Sequence, residues 1–195
     1  MRKRAFDVVA ALVGLVFFGP VMALVALAVM LDSGRPILFR QDRVGLGGRP
    51  FAIHKFRTMV MVHDGHLVSA KGDPRVTRVG RLLRKSKLDE LPQLLDVLNG
   101  SMSVVGPRPE VQDFVRKWPD ADRDLILSVR PGITDRASIE NRDEAAELAS
   151  VDDPAWHYEH VILPRKVRSY VAYVHKQSML EDIRIIAATA MAILR

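Results

Sequence analysis

Apolar positions dominate the start of the chain, and the pattern then changes. No charged residue occurs from Val8 to Leu31, and Asp7 and Asp32 bracket the run. A straight helix of that length exceeds the roughly 30 Å of a bilayer's hydrocarbon core. Gly19-Pro20 sits near its middle. Proline removes a backbone donor and crowds the carbonyl four residues back, so a kink is expected there. Three readings compete. Arg2-Lys3-Arg4 and Ala26-Leu27-Ala28 suit a secretory leader, but the run is long for one and continues through Val29-Met30-Leu31. The others are a single span and a helix that bends at Gly19-Pro20 and leaves on the side it entered. Lys and Arg mark cytoplasmic flanks. Here both flanks are basic, with Arg2, Lys3 and Arg4 before the run and Arg35, Arg40, Arg43, Arg49, Lys55 and Arg57 after it, which favours the re-entrant form.

Shorter periods follow. Ile37-Leu38-Phe39 and Phe51-Ala52-Ile53-His54-Lys55-Phe56 read as two strands around Gly45-Leu46-Gly47-Gly48, a β-hairpin. These glycines match neither dinucleotide nor Walker spacing, so they read as a turn. Residues 60–74 read as a loop, and its His63-Asp64-Gly65-His66 lacks the partners of a metal site. Arg75, Arg78, Arg81 and Arg84 recur every three residues, with Lys85 and Lys87 beyond. On a helix they gather along one side, either as a solvated or headgroup-facing surface or as an anion clamp.

Leu88, Leu91, Leu95 and Leu98 keep helical spacing as far as Asn99-Gly100. Pro92 is tolerated only in a first turn, so this helix is expected to start close to Asp89. That places the adjacent acids Asp89 and Glu90 at a helix N-terminus, where free amides favour negative charge. Asp89 is either a cap or part of a site where charge is managed. Beyond Pro109 the pattern reads helix, loop, helix. Arg130-Pro131-Gly132-Ile133-Thr134 is a turn signal, a helix is expected from near Pro164, and residues 183–194 form an amphipathic helix for the core or the membrane interface. His157 and His160 have no nearby partners for a metal.

Composition narrows the chemistry. The 195 residues carry 29 Lys and Arg against 23 Asp and Glu, a net +6 that points to an anionic partner. With no cysteine, thiolate catalysis, disulfides and zinc-thiolate sites are excluded. The expected fold class is α/β, mostly helical with a small β-hairpin. Residues 1–34 are expected to form a re-entrant membrane helix broken at Gly19-Pro20, and residues 35–195 a separate cytosolic domain, which the resemblance given next implies is catalytic.

The chain resembles the bacterial sugar transferases, the monotopic phosphoglycosyl transferases. The resemblance rests on Lys3-Arg4-Ala5-Phe6-Asp7, Arg40-Gln41-Asp42-Arg43-Val44-Gly45, Lys55-Phe56-Arg57-Thr58-Met59 and Asp73-Pro74-Arg75-Val76-Thr77-Arg78-Val79-Gly80. It continues through Leu88-Asp89-Glu90-Leu91-Pro92-Gln93-Leu94, the stretch from Ser103 to Glu110, and Arg130 to Thr134. These ordered pieces cover nearly the whole chain. The resemblance implies transfer of a sugar phosphate from a UDP-sugar to a polyprenyl phosphate such as undecaprenyl phosphate, with release of UMP and a requirement for Mg2+. It implies that Asp89 is the nucleophile, forming a phosphosugar-enzyme intermediate, and that Glu90 is its helper, as a base or in holding the metal. Both carboxylates are thus candidate metal ligands. It also implies a re-entrant anchor in the bacterial inner membrane, with the catalytic domain on the cytoplasmic face.

Phosphoryl transfer depends on positioning and charge neutralisation. Arg84 and Arg108 are therefore expected to contact phosphate, Arg108 with its backbone fixed between Pro107 and Pro109. Lys55, Arg57 and Arg75 are expected to hold the nucleotide or the lipid phosphate. Many relatives follow Pro-Gly-Ile-Thr with Gly and an aromatic residue. Here Asp135-Arg136-Ala137-Ser138 stands instead, a candidate for sugar or nucleotide selectivity. A membrane-anchored basic protein binding nucleic acid or anionic lipid is the rival, but few aromatics accompany the arginines and no nucleic-acid motif occurs. A polytopic sugar-phosphate transferase would need more apolar runs. The sugar, the glycan pathway and the oligomeric state, a homo-oligomer included, are left open.

Overall fold

A computed structural model describes residues 2–60 and 72–194. The His63-Asp64-Gly65-His66 cluster lies outside the described residues. The chain begins with a 32-residue helix, α1 (Arg2–Ser33). The hairpin follows, β1 (Leu38–Val44) and β2 (Pro50–Phe56), antiparallel with Leu38 opposite Phe56 and Val44 opposite Pro50. Its turn, Leu46–Gly48, needs left-handed backbone at Gly47 and Gly48, which explains the glycines without any ligand. Next come α2 (Arg78–Ser86), α3 (Gln93–Asn99), β3 (Ser103–Val105), α4 (Gln112–Val115) and α5 (Asp120–Leu127). They lead to β4 (Gly132–Thr134), α6 (Arg136–Glu140), α7 (Glu144–Ala149) and α8 (Pro154–His157). A π-helical turn, Tyr158–Ile162, joins α8 to α9 (Leu163–Lys176), and α10 (Met179–Leu194) ends the fold.

The mostly helical fold with a small hairpin matches expectation, as does the end of α3 at Gly100, whose φ of +91° closes the helix. Gly19-Pro20 lies inside α1, with helical backbone on both sides of it. Gly14 packs on Leu94 before the proline, and Val21, Met22 and Val25 pack near Phe56 and Leu83 after it. Tertiary contacts on both sides thus offset the roughly 3 kcal/mol that an internal proline costs. The region beyond Pro109 is richer than the expected helix, loop, helix. The Arg130–Thr134 segment carries a strand, β4, parallel to β3, with Ser103 N donating to Pro131 O at 2.8 Å and Gly106 N to Thr134 O at 3.1 Å. Three-residue strands are too short to show a period in sequence. The two backbones approach so closely that a Cβ on Gly132 would lie 2.1 Å from Gly106 N.

Both ends of α1 are fastened to the same body. At its start, Lys3 donates to Val105 O (3.0 Å) and pairs with Asp182 of α10 (2.7 Å). Arg4 donates to Val97 O and Leu98 O, carbonyls at the end of α3. Asp7, buried, accepts from Ser103 Oγ and Val104 N. At its far end, Arg57 donates to the carbonyls of Ser33 (2.5 Å), Gly34 (2.7 Å) and Arg35 (3.0 Å), and to Ser33 Oγ (2.9 Å). Between these clamps Ala11 packs with Ile53, Val97 and Met102, and Val25 and Val29 pack with Phe56 and Leu83. The outer face, including Val13, Val16, Phe17, Leu24 and Leu31, stays exposed. It is the one helix among the described residues long and apolar enough to cross a membrane.

A second clamp ties the hairpin to α3. His54 N donates to Asp96 Oδ2 (2.9 Å), and His54 Nδ1 lies 2.7 Å from Asp96 Oδ1, with Asp96 fully buried. Asp96→Ala leaves this backbone donor without its partner and is expected to cost about 3 kcal/mol. Chemical denaturation in detergent would measure the loss.

Candidate active site

The acidic pair is built by the turn between α2 and α3. Lys87 ends α2 in left-handed backbone at φ +58°, a costly conformation for a residue with a Cβ. It turns the chain into a single 3₁₀ turn, Leu88–Glu90, and Pro92 then precedes the first residue of α3. The pair therefore sits one turn before the α-helix rather than inside its first turn as expected. The amide of Glu90 is used by Lys87 O (3.2 Å) and that of Leu91 by Leu88 O (3.3 Å).

The two acids have different surroundings. Glu90 Oε1 takes Lys55 Nζ at 2.8 Å and Arg108 Nη2 at 2.6 Å, while Arg108 Nη1 lies 3.4 Å from Oε2. Asp89 is 7% exposed, yet its Oδ1 has no hydrogen-bond partner among the described residues. Burial first, then the Glu90 charge, push the Asp89 carboxyl above its ordinary range, against the pull of Lys55, Lys87 and Arg108. For Glu90 burial acts in the same direction but is outweighed, and Arg108 with Lys55 holds it well below the carboxylate range. The attraction of Glu90 raises Arg108, whereas burial lowers Lys55 despite the same partner. One acid is thus held as an ion in a fork of cations, and the other is buried with an unsatisfied oxygen.

Both acids line a cleft of about 2180 Å³. One part of its wall is apolar and basic, with Met22, Ala23 and Ala26 of α1 and Arg81 and Lys85 of α2. Another is polar, with Arg43, Glu110, Tyr158, Lys166 and the stretch 142–146. Arg108 and Lys55 meet at Glu90. Arg84 also lines the cleft, its Nε donating to Thr58 Oγ1 (2.9 Å), and feels the charges of Asp89 and Asp73. Arg75 lies before α2, outside the expected helical stripe, because Thr77 caps that helix by accepting from Gly80 N. It forks onto Asp73 at 2.6 to 3.2 Å. Arg57 lines the same cleft as the acids, and four of its hydrogen bonds close the end of α1.

Asp135 is a buried cap of α6, accepting from Ser138 N, and residues 135–138 line no part of the cleft. The stretch 142–146 provides wall instead. Reasoning from sequence assigned no role to Arg43, Glu110, Tyr158 and Lys166. Glu110 and Arg43 each stood in a quoted motif, Glu110 in the one containing Arg108, whereas Tyr158 and Lys166 come from a distant segment without local signal. His157 lies 2.9 Å from Glu147 and His160 stacks on Trp156. Among the described residues no three His, Asp or Glu side chains gather as a ready metal cage.

A long apolar helix is thus fastened to a body whose cleft holds two adjacent buried acids, one of them forked by two cations, the build of a membrane-associated enzyme. The chain belongs to the bacterial sugar transferases, whose family model matches residues 1–195. It is 39% identical over 198 residues to the UDP-glucose:undecaprenyl-phosphate glucose-1-phosphate transferase of Caulobacter vibrioides, covering 100% of this chain and 70% of that protein. With the transferase of the same description from Escherichia coli K12 it shares 37% over 194 residues, 97% of this chain and 39% of that one. With a UDP-N-acetylgalactosamine-undecaprenyl-phosphate N-acetylgalactosaminephosphotransferase of Aeromonas hydrophila it shares 40% over 165 residues, 81% and 37% respectively. The chain thus spans well under half of the last two relatives.

The raised Asp89 has a consequence for stability. Above the ordinary aspartate value of about 4, the unfolded chain has released a proton that the folded chain still holds, so stability falls as pH rises through the folded-state value. Asp89→Asn removes that loss and is expected to raise the melting temperature at neutral pH. In carboxyl NMR titrations, Glu90→Gln is expected to lower the Asp89 midpoint, because it deletes a neighbouring negative charge and leaves Lys55 and Arg108 in place.

Proposed function

We propose that the chain transfers a sugar 1-phosphate from a UDP-sugar to undecaprenyl phosphate, the first membrane step of a glycan. The observation that carries this reading is the asymmetry of the pair: Glu90 is neutralised by Lys55 and Arg108, while Asp89 keeps a carboxylate oxygen free of hydrogen bonds. A carboxylate without a bound cation is the better nucleophile toward phosphorus. Asp89 forms a bond to the β-phosphorus, the bond from that phosphorus to the bridging oxygen breaks, and UMP leaves with the electron pair. An oxygen of the lipid phosphate then attacks the same phosphorus and displaces the Asp89 carboxylate. Polyprenyl diphosphate-sugar is released and the enzyme is regenerated.

Arg108 and Lys55 stand where they can pass from Glu90 to the incoming diphosphate, and Arg84 adds charge at the same wall. Mg2+ fits this donor set, since it is commonly held by one or two carboxylates together with substrate phosphates. Asp89 has an oxygen available, whereas Glu90 would first release a cation. When bound, the metal would offset diphosphate charge. The relatives' descriptions name different sugars, glucose and N-acetylgalactosamine, so sugar choice is a separate question. Membership of a transferase family argues against the basic binding-protein reading.

The anchor enters and leaves the bilayer on one side, with the catalytic body at the cytoplasmic face of the inner membrane. This is supported by the fastening of Lys3, Arg4 and Asp7 at one end of α1, and of Ser33 to Arg35 at the other, to a single body. The basic flanks agree.

Incubation of wild-type protein with a panel of radiolabelled UDP-sugars is expected to release UMP and to label the chain at Asp89. Asp89→Asn is expected to lose transfer and labelling while staying in the membrane fraction, and full activity in that variant would remove Asp89 as nucleophile. Cysteines introduced beside Arg2 and Arg35 should both be shielded from an impermeant thiol reagent in intact cells. Labelling of one alone would establish a span.

A further inference from the structure

Arg108 must turn from Glu90 toward a diphosphate without losing its aim, and two prolines alone do not set the direction of its side chain. The backbone around it is held from three sides. Gly132 N donates to Pro107 O (2.9 Å), Arg43 Nη1 to Pro109 O (3.1 Å) and Val44 N to Glu110 O (3.0 Å). The next acid completes the grip. Glu110, 4% exposed, accepts from the Tyr158 hydroxyl at 3.0 Å and lies 3.6 Å from Arg43 Nη1 and 3.7 Å from Lys166 Nζ. Lys166, also buried, pairs with Glu144 at 2.8 Å, donates to the Tyr158 hydroxyl at 3.1 Å and lies 4.7 Å from the centre of its ring.

Glu110 therefore joins the hairpin, the loop after β3 and the α9 region at a point two residues from Arg108. As a source of stability alone this is a poor choice, because a buried ionic cluster is often no better than apolar side chains of the same volume. Its value lies in direction: cation, acid and hydroxyl contacts are geometrically specific in a way that apolar contacts are not.

We propose that Glu110 is a positioning residue, which with Arg43, Tyr158 and Lys166 fixes the Pro107–Pro109 backbone and so aims the Arg108 guanidinium at the substrate diphosphate. The inference rests on the function proposed above for the kinetic part of its test, and on the Arg108 fork alone for the spectroscopic part.

The test is a double-mutant cycle of Glu110→Gln with Arg108→Lys. Glu110→Gln is expected to lower kcat/KM for UMP release on the order of tenfold to a hundredfold, the scale of a misplaced positioning group. Added to Arg108→Lys it is expected to cause little further loss, since a residue that acts through Arg108 has nothing left to aim. Losses that multiply, or a Glu110→Gln enzyme equal to wild type, would overturn the inference. In parallel, the Arg108 Nε–Hε resonance, assigned by its loss in Arg108→Lys, is expected to shift and broaden in Glu110→Gln. An unmoved resonance overturns the inference. Should Glu110→Gln fail to fold, Lys166→Met removes one contact of Glu110 while Arg43 and Tyr158 remain, and the same non-additive pattern and spectral change are expected. A wild-type chain that releases no UMP from any UDP-sugar refutes the proposed function, and the resonance then decides this inference by itself.

Discussion

The attachment of α1 at both ends is the constraint on which the other features depend. A straight helix of its 32 residues is about 48 Å long. An apolar rod of that length could sit in a bilayer independently of the soluble body, but here it cannot move without the body. Lys3, Arg4 and Asp7 bind the end of α3, β3 and α10, and Arg57 closes the opposite end from the last residues of the hairpin. Any depth the helix takes in lipid is imposed on the cleft, because Met22, Ala23 and Ala26 form part of the cleft wall. Buried Asp7 sharpens the point: a carboxyl leaves water only where donors replace it, and Ser103 and Val104 are those donors. They belong to β3, which leads within a few residues to Arg108.

The second clamp acts at shorter range. His54 meets Asp96 and the next residue, Lys55, meets Glu90. Two consecutive positions on β2 therefore hold both the turn before α3 and α3 itself. Lys55, one of the two cations on Glu90, is thereby placed by a strand and not by a loop, the arrangement that holds a side chain's position most firmly.

Much of this was legible in the sequence wherever the signal is local. The apolar run, the glycines of the hairpin turn, the leucine spacing as far as Gly100 and the adjacent acids each carry their own periodicity or turn chemistry. Interactions between distant segments were not legible. Arg57 stands in a basic motif and reads as a phosphate ligand, and nothing in the sequence shows that its guanidinium also binds the free carbonyls at the end of α1. The arginines at three-residue spacing suggested a single face, but Thr77 begins the helix after Arg75. Strands of three residues have no period to detect, so β3 and β4 emerged only from their pairing. Arg43 is far in the chain from Tyr158 and Lys166, and they converge on Glu110 only in the folded protein.

Burying two carboxylates side by side is unfavourable unless cations divide between them or gather on one. Even sharing would leave each acid partly neutralised and neither well suited to attack phosphorus. Lys55 and Arg108 instead both bond to Glu90, which makes that residue a stable anion and concentrates the cost of burial on Asp89. The unsatisfied oxygen of Asp89 is a fault if only stability is considered, and it becomes the useful feature if Asp89 is the nucleophile proposed above. Under the function proposed above, an incoming diphosphate would compete with Glu90 for Arg108, and counterions brought with it would ease the ionisation of Asp89 before attack. On the proposed mechanism Glu90 is then more than a neighbour of Asp89. By holding the cations until phosphate arrives, it keeps them from pairing with Asp89, and this division of charge is what lets two adjacent acids with the same functional group take separate roles.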